Sequence, residues 1–297
     1  GEALVRAWQP GVLSRRLEER GILTGLVTEA YIHYRMNRER FADLVQAFAT
    51  GESANRDGLP RGTFASMRHF SRAVSPPVSR VLEVLEGVPG SAYLAGVAVL
   101  LAGLLGLQVR RGKPLYVAYA AGSTGFTGMV MSVVLILSFQ IRYGDVYQYI
   151  GLLTALFMLG AAVGAAAATG RGRRPLIAIE SGLVLIALLA YGCAVSEPPA
   201  NVWPGLIFGL MILTGAMAGA QYPVLVARVV TTRAGIGATA GSIYVLDLAG
   251  AVLGAALAGV VLIPTIGLSG TILLAAALKA GSVMLIVASP RRRAIAA

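Results

Sequence analysis

Two side chains that could do chemistry lie in the last third of the chain, each inside a long apolar stretch. Asp247 follows a basic loop by about 10 residues and Lys279 precedes Pro290 by about 11, so each would lie about 15 Å deep in a helix. An isolated charge at that depth in a bilayer costs several kcal/mol, so such residues usually face other helices and pair. We expect Asp247 and Lys279 to pair, either as a structural bridge or as an ion or proton site.

Two further polar residues lie in apolar stretches. Glu180 is about one and a half helical turns from a basic loop, so its side chain could extend to the membrane surface. Gln221 lies beside Pro223, whose ring frees the backbone carbonyl of Gly219. The amide of Gln221 would then either contact a polar substrate or satisfy the kink.

Glycines spaced by four residues recur in three of the apolar stretches. This spacing lets helix backbones approach closely in lipid. A general richness in alanine and glycine is the alternative, but the regular four-residue spacing favours at least one contact seam. The predicted seams lie within the chain or dock other membrane subunits. The glycines are Gly160 and Gly164, Gly215 and Gly219, and Gly250 and Gly254.

The elements that carry these residues are apolar stretches of membrane-spanning length. The chain is 56% hydrophobic and 13% charged, which is about half the charged fraction of an ordinary soluble domain. About 20 apolar residues cross a hydrocarbon core of about 30 Å. The sequence predicts an all-α integral membrane protein with a seven-helix transmembrane bundle. Its spans are Ser91–Val109, Leu115–Ile141, Val146–Ala168, Pro175–Val195, Trp203–Val230, Gly237–Ile266 and Leu268–Ser289.

Basic residues cluster after the first, third, fifth and seventh spans. Such clusters are typical of cytoplasmic loops, so the C-terminus is expected in the cytoplasm. Seven crossings would then place residues 1–90 in the periplasm of a bacterium whose inner membrane holds the protein. If the first stretch only dips into the membrane, residues 1–90 would instead be cytoplasmic.

Residues 1–90 are polar and form a separate, small and mostly helical extramembrane region. Pro10 and Gly21 bracket a predicted short helix. We therefore divide the chain into this region, a membrane domain over residues 91–290 and a basic tail over residues 291–297. The chain begins without Met or an apolar leader, so we expect it to be part of a longer protein.

No catalytic, cofactor-binding or metal site is predicted. Cys193 is the one cysteine, and His33 and His69 are the two histidines, so no metal-ligand cluster can be read from the spacing. The net charge of +11 lies mostly in membrane loops and carries no nucleic-acid-binding signature. The lipid bilayer is the expected partner, together with other membrane or periplasmic subunits if the glycine seams dock them.

Several stretches together resemble the membrane-embedded, spermidine synthase-like proteins of bacteria, in which an aminopropyltransferase-type domain is fused to transporter-like helices. The most specific is the Tyr-x-x-Asp-x-x-Gly-Ala-x-x-Gly run within Gly241–Ala255. The others are Gly125–Gly128, Tyr149–Gly164, Gly215–Pro223 and Leu262–Gly267. Residues 13–85 are similar to the tail of the family's soluble domain.

The resemblance implies a cofactor-binding half that is not found in this chain. An aminopropyltransferase holds decarboxylated S-adenosylmethionine on a Rossmann-like sheet and uses clustered acids to deprotonate a polyamine. Residues 1–90 contain no Gly-x-Gly-x-x-Gly turn and no acid cluster, and Met131–Gln140 lacks the family's membrane glutamate. No catalytic residue is therefore carried over.

The sequence thus favours a non-catalytic membrane scaffold or subunit that anchors a soluble domain or partner proteins. One alternative is a transporter-like domain for a small cationic substrate. Seven spans that do not divide into equal halves speak against it, because transporters usually contain repeats. The other is the membrane part of an aminopropyltransferase whose catalytic half lies upstream.

Overall fold

The structure is a computed structural model that describes residues 12–21, 80, 84–85, 88–111, 115–144, 147–168, 173–196, 199, 201–230 and 236–289. The chain divides into two compact units, Gly1–Ala54 and Asn55–Ala297. In the first unit the described element is helix α1, Val12–Glu19. It ends two residues before Gly21, whose φ of 64° a glycine adopts without strain, as the predicted stop requires. The other elements expected within residues 1–90 lie outside the described residues.

The second unit is built from long apolar helices, and its described part contains no strand. Six helical stretches there are long and apolar enough to cross a membrane. This confirms the predicted all-helical architecture for the described residues, and the length and apolarity of the helices fit a membrane protein. Six such stretches are found where seven spans were expected. The six stretches contain seven helices, the last two of which share one stretch: α2 Gly90–Arg111, α3 Tyr116–Tyr143, α4 Tyr147–Ala167, α5 Arg173–Ser196, α6 Trp203–Val229, α7 Ile236–Leu257 and α8 Ile263–Ala288.

The last two predicted spans are joined in one stretch of 53 residues, in which a π-helical segment, Ala258–Leu262, joins α7 to α8. Within it Gly267 has φ 75° and ψ 177°, so the helical hydrogen bonding is broken at the residue where the sequence separates the sixth span from the seventh. Helix α8 beyond this break runs antiparallel to α3. The Tyr119 hydroxyl donates to the Leu278 carbonyl oxygen, whereas the earlier residue Tyr116 is linked to the later residue Leu285 by the Gln108 side chain, which bonds both.

Helices α3–α5 and α6–α8 form two similar three-helix repeats. Helix α3 packs parallel to α7, and α4 packs parallel to α6, through the two most extensive helix contacts of the bundle. Helix α3 runs antiparallel to α6, because Tyr116 meets Arg228 and Ala120 meets Gln221. The second repeat is therefore inverted with respect to the first, and each repeat supplies one helix to every tight pair.

The sequence carries the same repeat. The pattern Gly-x4-Leu-x3-Gly-Ala-x2-Gly-Ala-Ala-x-Ala occurs at residues 151–168 in α4 and again at residues 241–258 in and after α7, an offset of 90 residues. The same offset relates Thr124-Gly125 of α3 to Thr214-Gly215 of α6. Helices α3–α8 thus divide into two equal halves. Unequal halves were expected because the seven predicted spans include α2, which belongs to neither repeat.

Helix α2 lies at the periphery of the bundle. Its side chains are mostly exposed, and it packs on α8, where Leu101 lies against Gly281. Gln108, the buried residue of its last turns, donates a hydrogen bond to the carbonyl oxygen of Leu285 at 3.0 Å. Helix α2 is therefore attached to the repeats rather than part of either.

Candidate functional site

Lys279 is the centre of a polar cluster inside the bundle. Its side chain is fully buried, and its Nζ lies 2.6 Å from Oε2 of Glu180. The same ammonium donates to Thr124 Oγ1 at 2.6 Å and to Ser123 Oγ at 3.3 Å. An ammonium has three donors, and here all three have oxygen partners. The charge of Lys279 is thus compensated without water.

Glu180 and Gln221 complete the cluster. The Nε2 of Gln221 donates to Oε1 of Glu180 and, at 3.1 Å, to the carbonyl oxygen of Ala120. Glu180 is fully buried and Gln221 nearly so. The carboxylate therefore receives one hydrogen bond and one ion pair, which is what a buried charge needs to be tolerated in an apolar interior. We call Ser123, Thr124, Glu180, Gln221 and Lys279 the buried polar network.

Every bond between members of the network joins one repeat to the other. Ser123, Thr124 and Glu180 belong to α3 and α5, whereas Gln221 and Lys279 belong to α6 and α8. Loosening the network would therefore loosen the contact between the two repeats, not the packing inside either of them.

The network lies nearer one end of the bundle, which we call the basic end because Arg173 and Arg228 lie there. Glu180 is seven residues from Arg173, and Gln221 is seven residues from Arg228, so each is about 10 Å along its helix from those arginines. At the basic end itself, Arg228 Nε donates to the hydroxyl of Tyr116 at 2.5 Å. Arg173 donates to the carbonyl oxygens of Val287 and Ser289.

The other half of the bundle is apolar. Its core contains Met131, Phe139, Ile186, Trp203 and Ile207, all buried. The repeat relation makes the contrast specific, because Met131 of α3 stands 90 residues before Gln221 of α6 at the equivalent position. One repeat therefore supplies a hydrogen-bonding amide where the other supplies a thioether, and the two ends of the bundle are closed by different chemistry.

Asp247 is not the ion-pair partner of Lys279. It lies on α7, partly exposed, and forms no ion pair with a described residue. The expected partner is corrected to Glu180, because α5 packs directly on α8 whereas α7 packs on α3. Depth along a helix is readable from the sequence, but the direction each residue faces depends on packing. For Glu180, the expected extension to the membrane surface is wrong.

The six glycines spaced by four residues line the two parallel helix pairs. A Cβ on Gly160 or Gly164 would overlap the backbone of α6, and one on Gly215 or Gly219 the backbone of α4. Gly250 and Gly254 lie in the same way against α3, at Gly122 and Phe126. These contacts are within the chain. A seventh glycine, Gly125, lies against the carbonyl of Asp247, and sequence reasoning quoted it without assigning it to a seam.

Sequence reasoning missed Ser123 and Thr124 as partners of Lys279. Hydroxyl residues in apolar helices commonly bond their own backbone, so they carry little signal alone. The repeat would have identified Thr124 as the equivalent of Thr214. Among the described residues, no group of three His, Cys, Asp or Glu side chains is arranged to hold a metal ion. A cavity of about 320 Å³ lies elsewhere, between α2 and α8, near Tyr93 and Gly270.

Comparisons with protein-family models, curated proteins and solved structures find no match to this chain.

Proposed function

We propose that helices α2–α8 form a membrane transport unit for a small cationic solute, with the buried polar network as the closure of one end. The observation that carries this proposal is the inverted pair of three-helix repeats with an ion pair between them. Inverted repeats are characteristic of transporters, in which one repeat moves against the other around a site near the bilayer midplane.

The chemistry of the two closures supports this function. At the basic end the repeats are held by the Glu180–Lys279 ion pair and its hydrogen bonds, which a competing cation or anion could exchange. At the opposite end they are held mainly by apolar side chains around Met131 and Trp203, with the guanidinium of Arg142 over the Trp203 ring. Two closures that respond to different influences suit a protein that opens one end at a time.

A cationic solute is favoured by the acids of the bundle. Glu180 and Asp247 are carboxyl groups inside apolar helices, and Lys279 is the one internal base among the described residues of α3–α8. A cation that displaces Lys279 from Glu180 would find the carboxylate, the Gln221 amide oxygen and two hydroxyl groups as ligands. An anion would find one ammonium beside two carboxyl groups, which is less favourable electrostatically.

The orientation proposed for this unit is seven crossings with the basic end in the cytoplasm. Fifty-three residues of helix would extend about 80 Å, far more than a hydrocarbon core of about 30 Å, so α7 and the part of α8 after Gly267 are proposed as separate crossings. Arginines at the basic end agree with the excess of Lys and Arg in cytoplasmic loops. A bacterial inner membrane and an external N-terminal region remain part of the proposal.

A second candidate is the non-catalytic scaffold or subunit, and one observation favours it. Glu180 and Lys279 have no exposed surface, and the described cavity does not reach them. A sealed ion pair of this kind also suits a bundle that only holds other proteins or a soluble domain in place. The resemblance to spermidine synthase-like membrane proteins supports this candidate and leaves an upstream aminopropyltransferase half as a further proposal.

Reconstitution into liposomes separates the two candidates. The purified chain is tested for uptake of radiolabelled spermidine and, with a trapped pH-sensitive dye, for proton movement. Thr124→Val removes a hydroxyl that binds Lys279, whereas Thr154→Val is the matched control, because Thr154 is exposed on α4 and bonds only its own helix.

Transport requires flux above that of empty liposomes, altered by Thr124→Val and unaltered by Thr154→Val. No flux of either probe would overturn the transport proposal and leave the scaffold. Flux that is equally insensitive to both substitutions would exclude the buried polar network as the closure.

A further inference from the structure

The ionisable side chains inside the bundle do not balance in charge. Away from their ends, the described helices α3–α8 contain two acids, Glu180 and Asp247, and one base, Lys279. Lys279 lies 2.6 Å from Glu180 and is fully surrounded by that carboxylate and two hydroxyl groups. Asp247 is therefore left without an ion-pair partner among the described residues.

Asp247 nevertheless faces the interior side of its helix. It is four residues after Ile243 and three before Gly250, which are both buried, and its own carbonyl lies against Gly125 of α3. Gly125 adjoins Thr124, a partner of the Lys279 ammonium. Asp247 thus lies beside the buried polar network, yet it is partly exposed where Glu180 is sealed.

An ionised carboxylate inside an apolar helix and without a cation beside it is strongly unfavourable. Two states relieve this cost, because Asp247 can bind a proton or another cation. In a third state Asp247 takes Lys279 from Glu180, which transfers the unpaired charge to the carboxylate that holds the two repeats together. We propose that Asp247 is an exchangeable proton site and that its ionisation draws Lys279 away from Glu180, loosening the contact between the two repeats. The coupling to transport rests on the proposed function, but the proton occupancy of Asp247 does not.

The exchange balances without any further reactant. The Asp247 carboxyl group releases its proton to water and becomes a carboxylate, while Lys279 remains an ammonium and changes partner. The helices around Asp247 carry other ionisable groups. Towards the basic end these are Tyr116 and Tyr119 on α3, Tyr222 and Arg228 on α6, and Lys279 on α8. Of these bases, Arg228 lies at the basic end on the Tyr116 hydroxyl, whereas Lys279 contacts Thr124, the neighbour of the glycine that packs on Asp247.

Dicyclohexylcarbodiimide tests this inference, because this apolar reagent adds to protonated carboxyl groups in membranes. The full chain in liposomes is treated at several pH values, and the labelled residue is located by mass spectrometry of peptides. We expect label on Asp247, none on Glu180, loss of label with rising pH, and complete loss in Asp247→Asn. Label on Glu180 in place of Asp247, or no label on either, would overturn the proposal.

The partner exchange has its own readout. In Glu180→Gln, Lys279 loses its partner and is expected to pair with Asp247, which keeps the aspartate ionised and lowers its labelling. Lys279→Met removes the competing cation and should leave Asp247 labelled. If Glu180→Gln does not fold, the shorter acid of Glu180→Asp provides a weaker test in the same direction. Unchanged labelling of Asp247 in every folded Glu180 variant would overturn the exchange.

These labelling results are independent of flux. Label on Asp247 in liposomes that transport neither protons nor spermidine would retain the proton site and reject the transport function. Flux without label on Asp247 would support the transport function and reject the proton site.

Discussion

Glu180 Oε2 lies 2.6 Å from Lys279 Nζ, and this ion pair joins the third helix of one repeat to the third helix of the other. Both side chains are fully buried, so each is tolerated in the bundle only because of the other and of the hydrogen bonds around them. The stability of the bundle and the contact between its repeats therefore depend on the same pair of atoms.

Replacing Glu180 by Gln should destabilise the protein by about 3–5 kcal/mol, the usual scale for leaving a buried charge without its partner. The double substitution Glu180→Leu with Lys279→Met should recover much of this loss, because it removes both charges. Unfolding in mixed detergent micelles, followed by circular dichroism, measures both effects. Asp247→Asn is the matched control and should cost less, because Asp247 forms no ion pair with a described residue. Additive losses in the double variant would show that the pair does not interact.

The sequence predicts the helices of this fold well, because each is an apolar run closed by basic or turn residues. It also identifies Gly267 as the division of the last stretch, since the apolar run there is too long for one crossing. What it does not give directly is the rotation of each helix about its axis. Asp247 and Lys279 have similar depths, but α7 presents Asp247 to α3 while α5 presents Glu180 to α8.

The repeat shows which part of the missing information was in the sequence. The 90-residue offset is readable from the glycine pattern alone, and with it the equivalence of α3 with α6 and of α4 with α7. The ion pair could not be predicted from the repeat, because Glu180 and Lys279 are different residue types on two equivalent helices. Their contact arises from the antiparallel packing of α5 on α8, which only the assembled bundle defines.

Gly160→Ala and Gly250→Ala should have similar effects, because the two glycines are equivalent in the repeat and both lie against backbone atoms of a parallel helix. Each is expected to destabilise the protein by about 1–3 kcal/mol, the usual cost of inserting a methyl group into a packed contact. The detergent unfolding assay measures this. Gly192→Ala is the control, because a Cβ there has no neighbour within 4 Å, so stability should stay level or rise slightly. A harmless Gly250→Ala beside a damaging Gly160→Ala would contradict the equivalence.

Gly267→Ala should weaken the turn between the two parts of the last stretch. Gly267 has φ 75° and ψ 177°, a region almost restricted to glycine that costs a residue with a Cβ about 1–3 kcal/mol. Gly259→Ala is a suitable control within the same stretch, since a Cβ there has no neighbour within 4 Å and the residue is helical. The free energy of unfolding of the two variants should therefore differ by that amount. Equal stability of both variants would show that the backbone at Gly267 adopts an ordinary conformation.

Seven crossings make a definite prediction for the two surfaces of the membrane. In a Cys193→Ser background, Tyr147→Cys lies at the exposed start of α4, on the proposed outer side, and Arg110→Cys lies at the exposed end of α2, on the proposed inner side. An impermeant maleimide added to intact cells should label Tyr147→Cys, whereas Arg110→Cys should react only after permeabilisation.

Glu52→Cys should behave as Tyr147→Cys does, because α2 would separate residues 1–90 from the basic end. Labelling of Tyr147→Cys but not of Glu52→Cys would show that α2 does not cross. Labelling of Arg110→Cys alone would reverse the orientation of the whole unit.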